Sequence, residues 1–130
     1  MKIKHKRKTR KLKSLNIQAK LHAYVTYHNL ILTLCKVSGK IIGWESCGTL
    51  GFKNAKKRSP YAIQNTVLNI SQLLKSLNIY NIYLIFNGPI ITNREIIYET
   101  LISKQIKIFK ISEKINIPYN GCRLPKIRYI

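Results

Sequence analysis

Aspartate does not occur in this chain of 130 residues, and glutamate occurs only at Glu45, Glu95, Glu99 and Glu113. That scarcity excludes a chemistry at once. Two-metal phosphoryl hydrolysis needs several carboxylates converging on the ions, and here Glu45 alone falls in strand-like sequence. The three cysteines, Cys35, Cys47 and Cys122, form no paired metal-ligand motif. Cys35 and Cys47 lie in apolar, strand-like surroundings and read as reduced thiols of the core or its margin. His5, His22 and His28 are spaced neither as ligands nor as a base beside a nucleophile; His22 and His28 are expected at a sheet edge or against a ligand. No phosphate-binding P-loop pattern occurs, so no catalytic residue, metal or cofactor is expected. No apolar run reaches the roughly 20 residues of a membrane helix. The basic N-terminus lacks the apolar segment of a secretory signal and the Ser-rich look of a transit peptide.

What is abundant is positive charge. Against 4 acids stand 24 Lys and Arg, a net charge of +20. Such a chain repels itself unless a polyanion neutralises it. Nucleic acid is the leading partner, because each phosphate contact releases a condensed counterion; an anionic membrane surface is the weaker one. The hydrophobic content of 45% supplies one core of ordinary size. Ile, Lys, Asn and Tyr are plentiful, and their A/T-rich codons point to an A/T-rich genome such as that of an organelle.

Three regions follow. Residues 1–19 form a basic arm, with Lys2, Lys4, Lys6, Arg7, Lys8, Arg10, Lys11 and Lys13 and no acid, expected to be disordered until RNA orders it. Residues 20–111 carry the periodic segments. Alternation from Leu21 to Tyr27, a turn at His28-Asn29, an apolar run from Leu30 to Lys36, a turn at Ser38-Gly39 and a run from Ile41 to Ser46 predict an antiparallel three-stranded meander. A loop from Gly48 to Arg58 precedes a helix capped by Ser59, with Pro60 at its first position. Ile63, Val67, Ile70, Leu74 and Leu77 form that helix's apolar stripe. A strand from Ile79 to Phe86 stops at Asn87-Gly88-Pro89. Thr92 and Glu95 form a capping box for a second helix ending near Lys104, and a last strand covers residues 105–111. Residues 112–130 are a basic, Pro-containing tail. The predicted fold is a single α/β domain of order β-β-β-α-β-α-β: a mixed five-stranded sheet of ribonuclease-H-like topology with two helices and basic extensions.

The candidate RNA contacts beyond the arm cluster in two places. Gly48 and Gly51 let backbone approach a ligand, while Lys53, Lys56, Lys57 and Arg58 supply phosphate contacts. Phe52 has two open readings, a base-stacking ring or a plug in the core; Trp44, the single tryptophan, is expected in the core ahead of its other reading, a stacking platform. In the tail, Arg123, Lys126 and Arg128 sit on a Pro-stiffened segment suited to an RNA groove. Asn120-Gly121 has two open readings as well. It is a tight turn with positive φ at one residue, or a site where the Gly121 nitrogen attacks the Asn120 side-chain amide to give isoaspartate.

Three segments carry a resemblance to a known family. They are Gly43-Trp44-Glu45-Ser46-Cys47-Gly48-Thr49-Leu50-Gly51-Phe52-Lys53 running on to Lys57-Arg58-Ser59-Pro60-Tyr61-Ala62-Ile63-Gln64; Gly88-Pro89 followed by Arg94-Glu95; and Ile117-Pro118-Tyr119-Asn120-Gly121-Cys122-Arg123-Leu124-Pro125-Lys126. Together they resemble the S-eleven family of small-subunit ribosomal proteins over roughly residues 20–130. The resemblance implies a non-catalytic protein that binds small-subunit rRNA at the platform, near the messenger exit and E site, beside other platform proteins and the exiting messenger RNA. It adds Arg94 to the candidate contacts and marks Asn120-Gly121 as similar to a pair isomerised in some members. The family's glycine-rich loop is here Gly88-Pro89-Ile90-Ile91-Thr92-Asn93-Arg94-Glu95, which has fewer glycines. Tyr119 and Leu124 also depart from the pattern. Such drift suits an organelle ribosome, in the mitochondrial matrix rather than the plastid stroma. A free-standing RNA-binding regulator is the alternative function; co-sedimentation with the small subunit separates the two.

Overall fold

The computed structural model describes residues 17–88 and 93–129. Residues 1–16 of the predicted basic arm and the Thr92 half of the predicted capping box lie outside them; the last residues of that arm are described and belong to the folded domain, with Ile17 buried and Ala19 opening the first strand, because their apolar side chains reach the core. The alternating segments become β1 (Ala19–Val25), β2 (Leu30–Lys36) and β3 (Ile41–Ser46). Thr26 and Asn29 close the first turn: the Asn29 N–H donates to Thr26 Oγ1 at 3.1 Å, and Asn29 Oδ1 accepts from the Leu30 N–H at 3.0 Å. Helix α1 (Pro60–Ser76), strand β4 (Asn81–Asn87), helix α2 (Asn93–Ser103) and strand β5 (Lys107–Lys114) follow. The sheet order is β3-β2-β1-β4-β5. β1 pairs antiparallel with β2, as does β2 with β3; β4 lies parallel to both β1 and β5. This is the mixed five-stranded α/β arrangement that the sequence predicts.

The helices lie on one face of the sheet and pack on each other there. Ser59 caps α1, its hydroxyl accepting from the Ala62 N–H at 3.2 Å, with Pro60 at the first helical position. Ile63, Val67, Ile70 and Leu74 are buried against Leu21, Leu32 and Leu84 of the sheet and Ile97 and Leu101 of α2. Each such side chain contributes roughly 1.5–3 kcal/mol. Thr66 and Ser71, buried in the same stripe, donate their hydroxyls to the carbonyls of Ala62 and Val67. Leu77, expected to extend the stripe, instead forms the C-cap and is exposed, because the chain leaves the helix one residue earlier.

Other expectations shift for identifiable reasons. Trp44 is not in the core; it is 56% exposed. Its neighbour Gly43 occupies the helix-facing position, where a Cβ would stand 2.8 Å from Leu73 Cδ2, so alternation sends Trp44 to the opposite face. His22 lies on β1, the central strand, not at a sheet edge. In β5 the register slips by one residue: Ile82 pairs with Ile108, but Tyr83 pairs with Lys110. The extra residue, Phe109, lets Ile108 and Ile111 both face the helices despite their odd spacing. β5 also runs to Lys114, past the predicted end of the strand, and β4 starts at Asn81 rather than Ile79, after Asn78 takes a positive φ of 55°.

Gly88 ends β4 at φ +106°, where a Cβ would lie 2.1 Å from the Val25 carbonyl oxygen of β1. Gly39, in the β2–β3 turn, has a similar φ of +102° with nothing nearby. Gly88→Ala is therefore expected to cost about 3 kcal/mol or more, and Gly39→Ala about 1. Thermal melting of both variants checks this; equal losses would mean that φ alone, not the approach to Val25, sets the requirement.

Candidate nucleic-acid interface

β1, β3, β4 and β5 all point the same way, since β2 alone runs against them. Their C-terminal ends therefore share one end of the sheet. The loop after β3, the residue Gly88 after β4 and the tail after β5 all leave from that end. Ile17 and Gln18, the first described residues, lie at the other end; there the Gln18 side-chain oxygen accepts from the Tyr80 N–H at 2.8 Å and the Asn81 N–H at 3.1 Å.

The loop after β3 is tied down from within. The Ser46 N–H donates to Thr49 Oγ1 at 3.0 Å, and the Thr49 N–H donates to Ser46 Oγ at 3.2 Å. The Thr49 hydroxyl reaches the Glu45 carboxylate at 2.9 Å, which occupies the strand's lone acid locally. Cys47 is fully buried, its thiol 3.3 Å from the Thr66 hydroxyl of α1, whose own proton goes to the Ala62 carbonyl. Gly51 takes a φ of +84°, whereas Gly48 needs no such conformation and sits 3.6 Å, measured from an ideal Cβ, from Lys57 Nζ. Asn54–Arg58 form one turn of 3-10 helix with no acid in its first turn. Lys53 caps this turn in an extended conformation, its carbonyl accepting from the Lys56 N–H at 3.1 Å. Lys53, Lys56 and Arg58 are exposed and Lys57 is half-buried. Phe52 packs against the core and meets the Tyr61 ring edge-on at 6.0 Å, so the plug reading describes its position.

Arg94 is placed otherwise than its candidate role suggests. It sits in the first turn of α2 with its guanidinium directed at the chain itself. One terminal nitrogen donates to Glu113 of β5, the other to the Gly88 carbonyl at 3.3 Å, and the group lies over the Phe86 ring at 5.5 Å. This is the one ion pair among the described residues, so the loop and tail cations have no carboxylate partners there. Residues 113–129 are exposed throughout, including Ile117, Tyr119, Leu124 and Ile127 between Arg123, Lys126 and Arg128. Large apolar side chains held in water on an unsupported tail mark an element made for a partner. Asn120 has φ +57°, as the tight-turn reading requires, and an ideal Cβ on Gly121 would lie 3.1 Å from Pro118 Cβ. The cysteines are free, Cys35 and Cys47 buried and Cys122 exposed. Burial pushes the Cys35 thiol up, with Lys20 acting in the other direction.

Among the described residues no cluster of His, Cys, Asp or Glu could hold a metal ion, and no helix is long and apolar enough to cross a membrane. Sequence reasoning misses three cations on strands, Lys20, Lys110 and Lys114. Their signal is the alternation that points the neighbouring residues at the helices.

Comparison with known proteins adds an independent line. Residues 19–129 match the family described as Ribosomal protein S11. The chain is similar to the small ribosomal subunit protein uS11 of Bacteroides thetaiotaomicron, 30% identical over 116 residues and covering 89% of each chain. The Buchnera aphidicola uS11 is 32% identical over 109 residues, 84% of each. The uS11c protein of Cyanidium caldarium is 34% identical over 125 residues, 96% of each.

His22 is held below its ordinary value of 6.5 by burial first, then by Lys20 and Lys114. Under acid the unfolded chain takes up a proton at His22 that the folded chain resists. Stability should therefore be lost as pH falls from above 6.5 through the lowered folded value. Urea titrations at stepped pH are expected to show a steeper loss for the native chain than for His22→Gln. Parallel curves would remove His22 as the cause.

Proposed function

The chain belongs to the ribosomal protein S11 family and is a structural, non-catalytic component of the small ribosomal subunit; from that premise we propose that it binds small-subunit rRNA with the strand-end surface described above. The observation that carries this reading is that the loop with Lys53, Lys56, Lys57 and Arg58 and the exposed tail leave the same end of the sheet, from its two edge strands β3 and β5, with no carboxylate paired to any of these cations among the described residues. Loop cations engage phosphates and fix the register of the protein on RNA. The tail, with Arg123, Lys126 and Arg128, lies along a groove, its apolar side chains packed against sugar and base surfaces. Lys2, Lys4, Lys6, Arg7, Lys8, Arg10, Lys11 and Lys13 add phosphate contacts of their own. Arg94 supports the site by fixing the exits of β4 and β5.

Within the subunit we place the protein at the platform, near the messenger exit and E site, beside other platform proteins and the exiting messenger RNA. The ribosome concerned is an organelle's, in the mitochondrial matrix rather than the plastid stroma. What supports this is the abundance of Ile, Lys, Asn and Tyr, residues whose codons are A/T-rich, together with the altered segment 88–95. Fractionation of the source cells, with mass identification of the chain in organellar small subunits, tests the placement; recovery only from cytosolic or plastid ribosomes would overturn it.

Replacing Lys53, Lys56, Lys57 and Arg58 together by Ala is expected to weaken RNA binding across sequences. The slope of log affinity against log salt should fall by about 0.7–0.9 for each phosphate that the loop no longer engages. A slope equal to that of the native chain would remove this loop from the interface.

A further inference from the structure

The helices cover one face of the sheet; among the described residues nothing covers the other. Cross-strand pairing sets its central row as Trp44, Thr33, His22, Ile85 and Ser112. The row toward the β1 N-terminus includes Lys20, Tyr83 and Lys110. The row toward the loops includes Tyr24, Asn87 and Lys114. Rings and cations are thus interleaved, and no carboxylate shares the face. Glu45 pairs across from Leu32, on the helix side, and Glu113 is held by Arg94. Glu95 and Glu99 belong to α2.

We propose that this open face is a second RNA-binding surface, on which unpaired nucleotides stack against Trp44 and Tyr24 while their phosphates meet Lys20, Lys110 and Lys114. The inference rests on the reading of the strand-end surface as an rRNA interface and extends it. Charge complementarity selects a polyanion and rejects two other occupants. A second copy would bring the same cations, and the segment from Lys2 to Lys13 is itself basic. Continuity supports the same choice. Lys114 and Asn87 lie in the row nearest the loop end, while the described chain begins at the opposite end, some six residues or about 20 Å along the strands. RNA held at the loop end meets this face directly through that row. Rings on a sheet, each accepting any base, are the means by which proteins hold single-stranded RNA. Trp44 is 56% exposed and Tyr24 42%, so both are accessible. Tyr83 is already fixed across the surface. Its hydroxyl donates to Ser112 Oγ at 2.9 Å and Lys110 Nζ sits 5.3 Å above its ring, which lowers the ordering cost of binding.

Trp44 is the chain's single tryptophan, so its fluorescence reports this face alone. The full chain is titrated with a mixed-sequence single-stranded RNA octamer, with a duplex of the same length, and with an acidic Glu/Leu amphipathic peptide; labelled octamer gives affinity by anisotropy. The octamer is expected to quench Trp44, and the duplex to do so less. Trp44→Leu should weaken octamer binding by about 5- to 150-fold, as loss of one stacked base predicts. Trp44→Phe should restore most of it, with unchanged thermal melting in both variants. The quadruple loop variant should still show the quench at higher RNA concentration. Unchanged Trp44 emission while labelled octamer binds, with affinity lost only in the loop variant, would overturn the open-face proposal and leave the strand-end reading standing. Quenching by the acidic peptide but not by RNA would overturn it in favour of a protein neighbour. Failure of any RNA to bind the native chain would overturn both readings.

Discussion

The parallel pairing of β1 with β4, Ala19 against Ile82 through Tyr24 against Asn87, is the contact on which the other features depend. A parallel pair cannot be closed by a tight turn; it needs a long crossover, and α1 supplies it. The pairing makes β1 central and gives it buried neighbours on both sides. It also directs the exits of β3, β4 and β5 to the same end, which is why the loop before α1 and the tail leave that end of the sheet from its two opposite edges. Even the requirement for Gly88 follows from it, because the chain leaving β4 crosses directly over the Val25 carbonyl of β1.

Charge is arranged around that frame by exclusion. The core cluster contains no ionisable carboxylate or ammonium group, and the few acids are engaged locally or lie on α2. A net charge of +20 on a domain of this size is a standing self-repulsion. The fold does not relieve it internally, since the described residues contain one ion pair. Relief comes from outside, through phosphates, and the same term that weakens the free chain strengthens its hold on a polyanion. His22 shows the effect at one site: two lysines and burial act together against its protonation.

Much of this is legible in the sequence, because local rules and the fold agree over most of its length. Ser59-Pro60 announces α1, Gly39 and Asn29 announce turns, and period-two alternation announces the meander. Legibility fails where a distant partner decides. The position of Trp44 depends on Gly43 meeting Leu73 of α1, some thirty residues on. Ile108 and Ile111 have a spacing that neither strand nor helix periodicity explains until the slip at Phe109 is seen. Of the candidate residues, the exposed loop cations are legible because clustering with glycine is a local signal of a solvent-facing turn. Arg94 cannot, because Glu113 and Phe86 claim it from other strands.

The altered segment after β4 illustrates how steric and ligand-binding demands separate. A glycine-rich loop can serve two ends: backbone conformations barred to other residues, and close approach of backbone amides to phosphate. Gly88 has a requirement internal to the fold, the 2.1 Å approach to Val25, and that requirement holds whatever binds outside. Arg94 stands at the other end of the same segment and bonds to the Gly88 carbonyl and to Glu113, while Phe86 and Glu113 are themselves paired between β4 and β5. Thus Gly88, Phe86, Arg94 and Glu113 fasten two strand exits with their own contacts. Contacts of this kind hold the tail root and the last row of the open face in register with the end of β4.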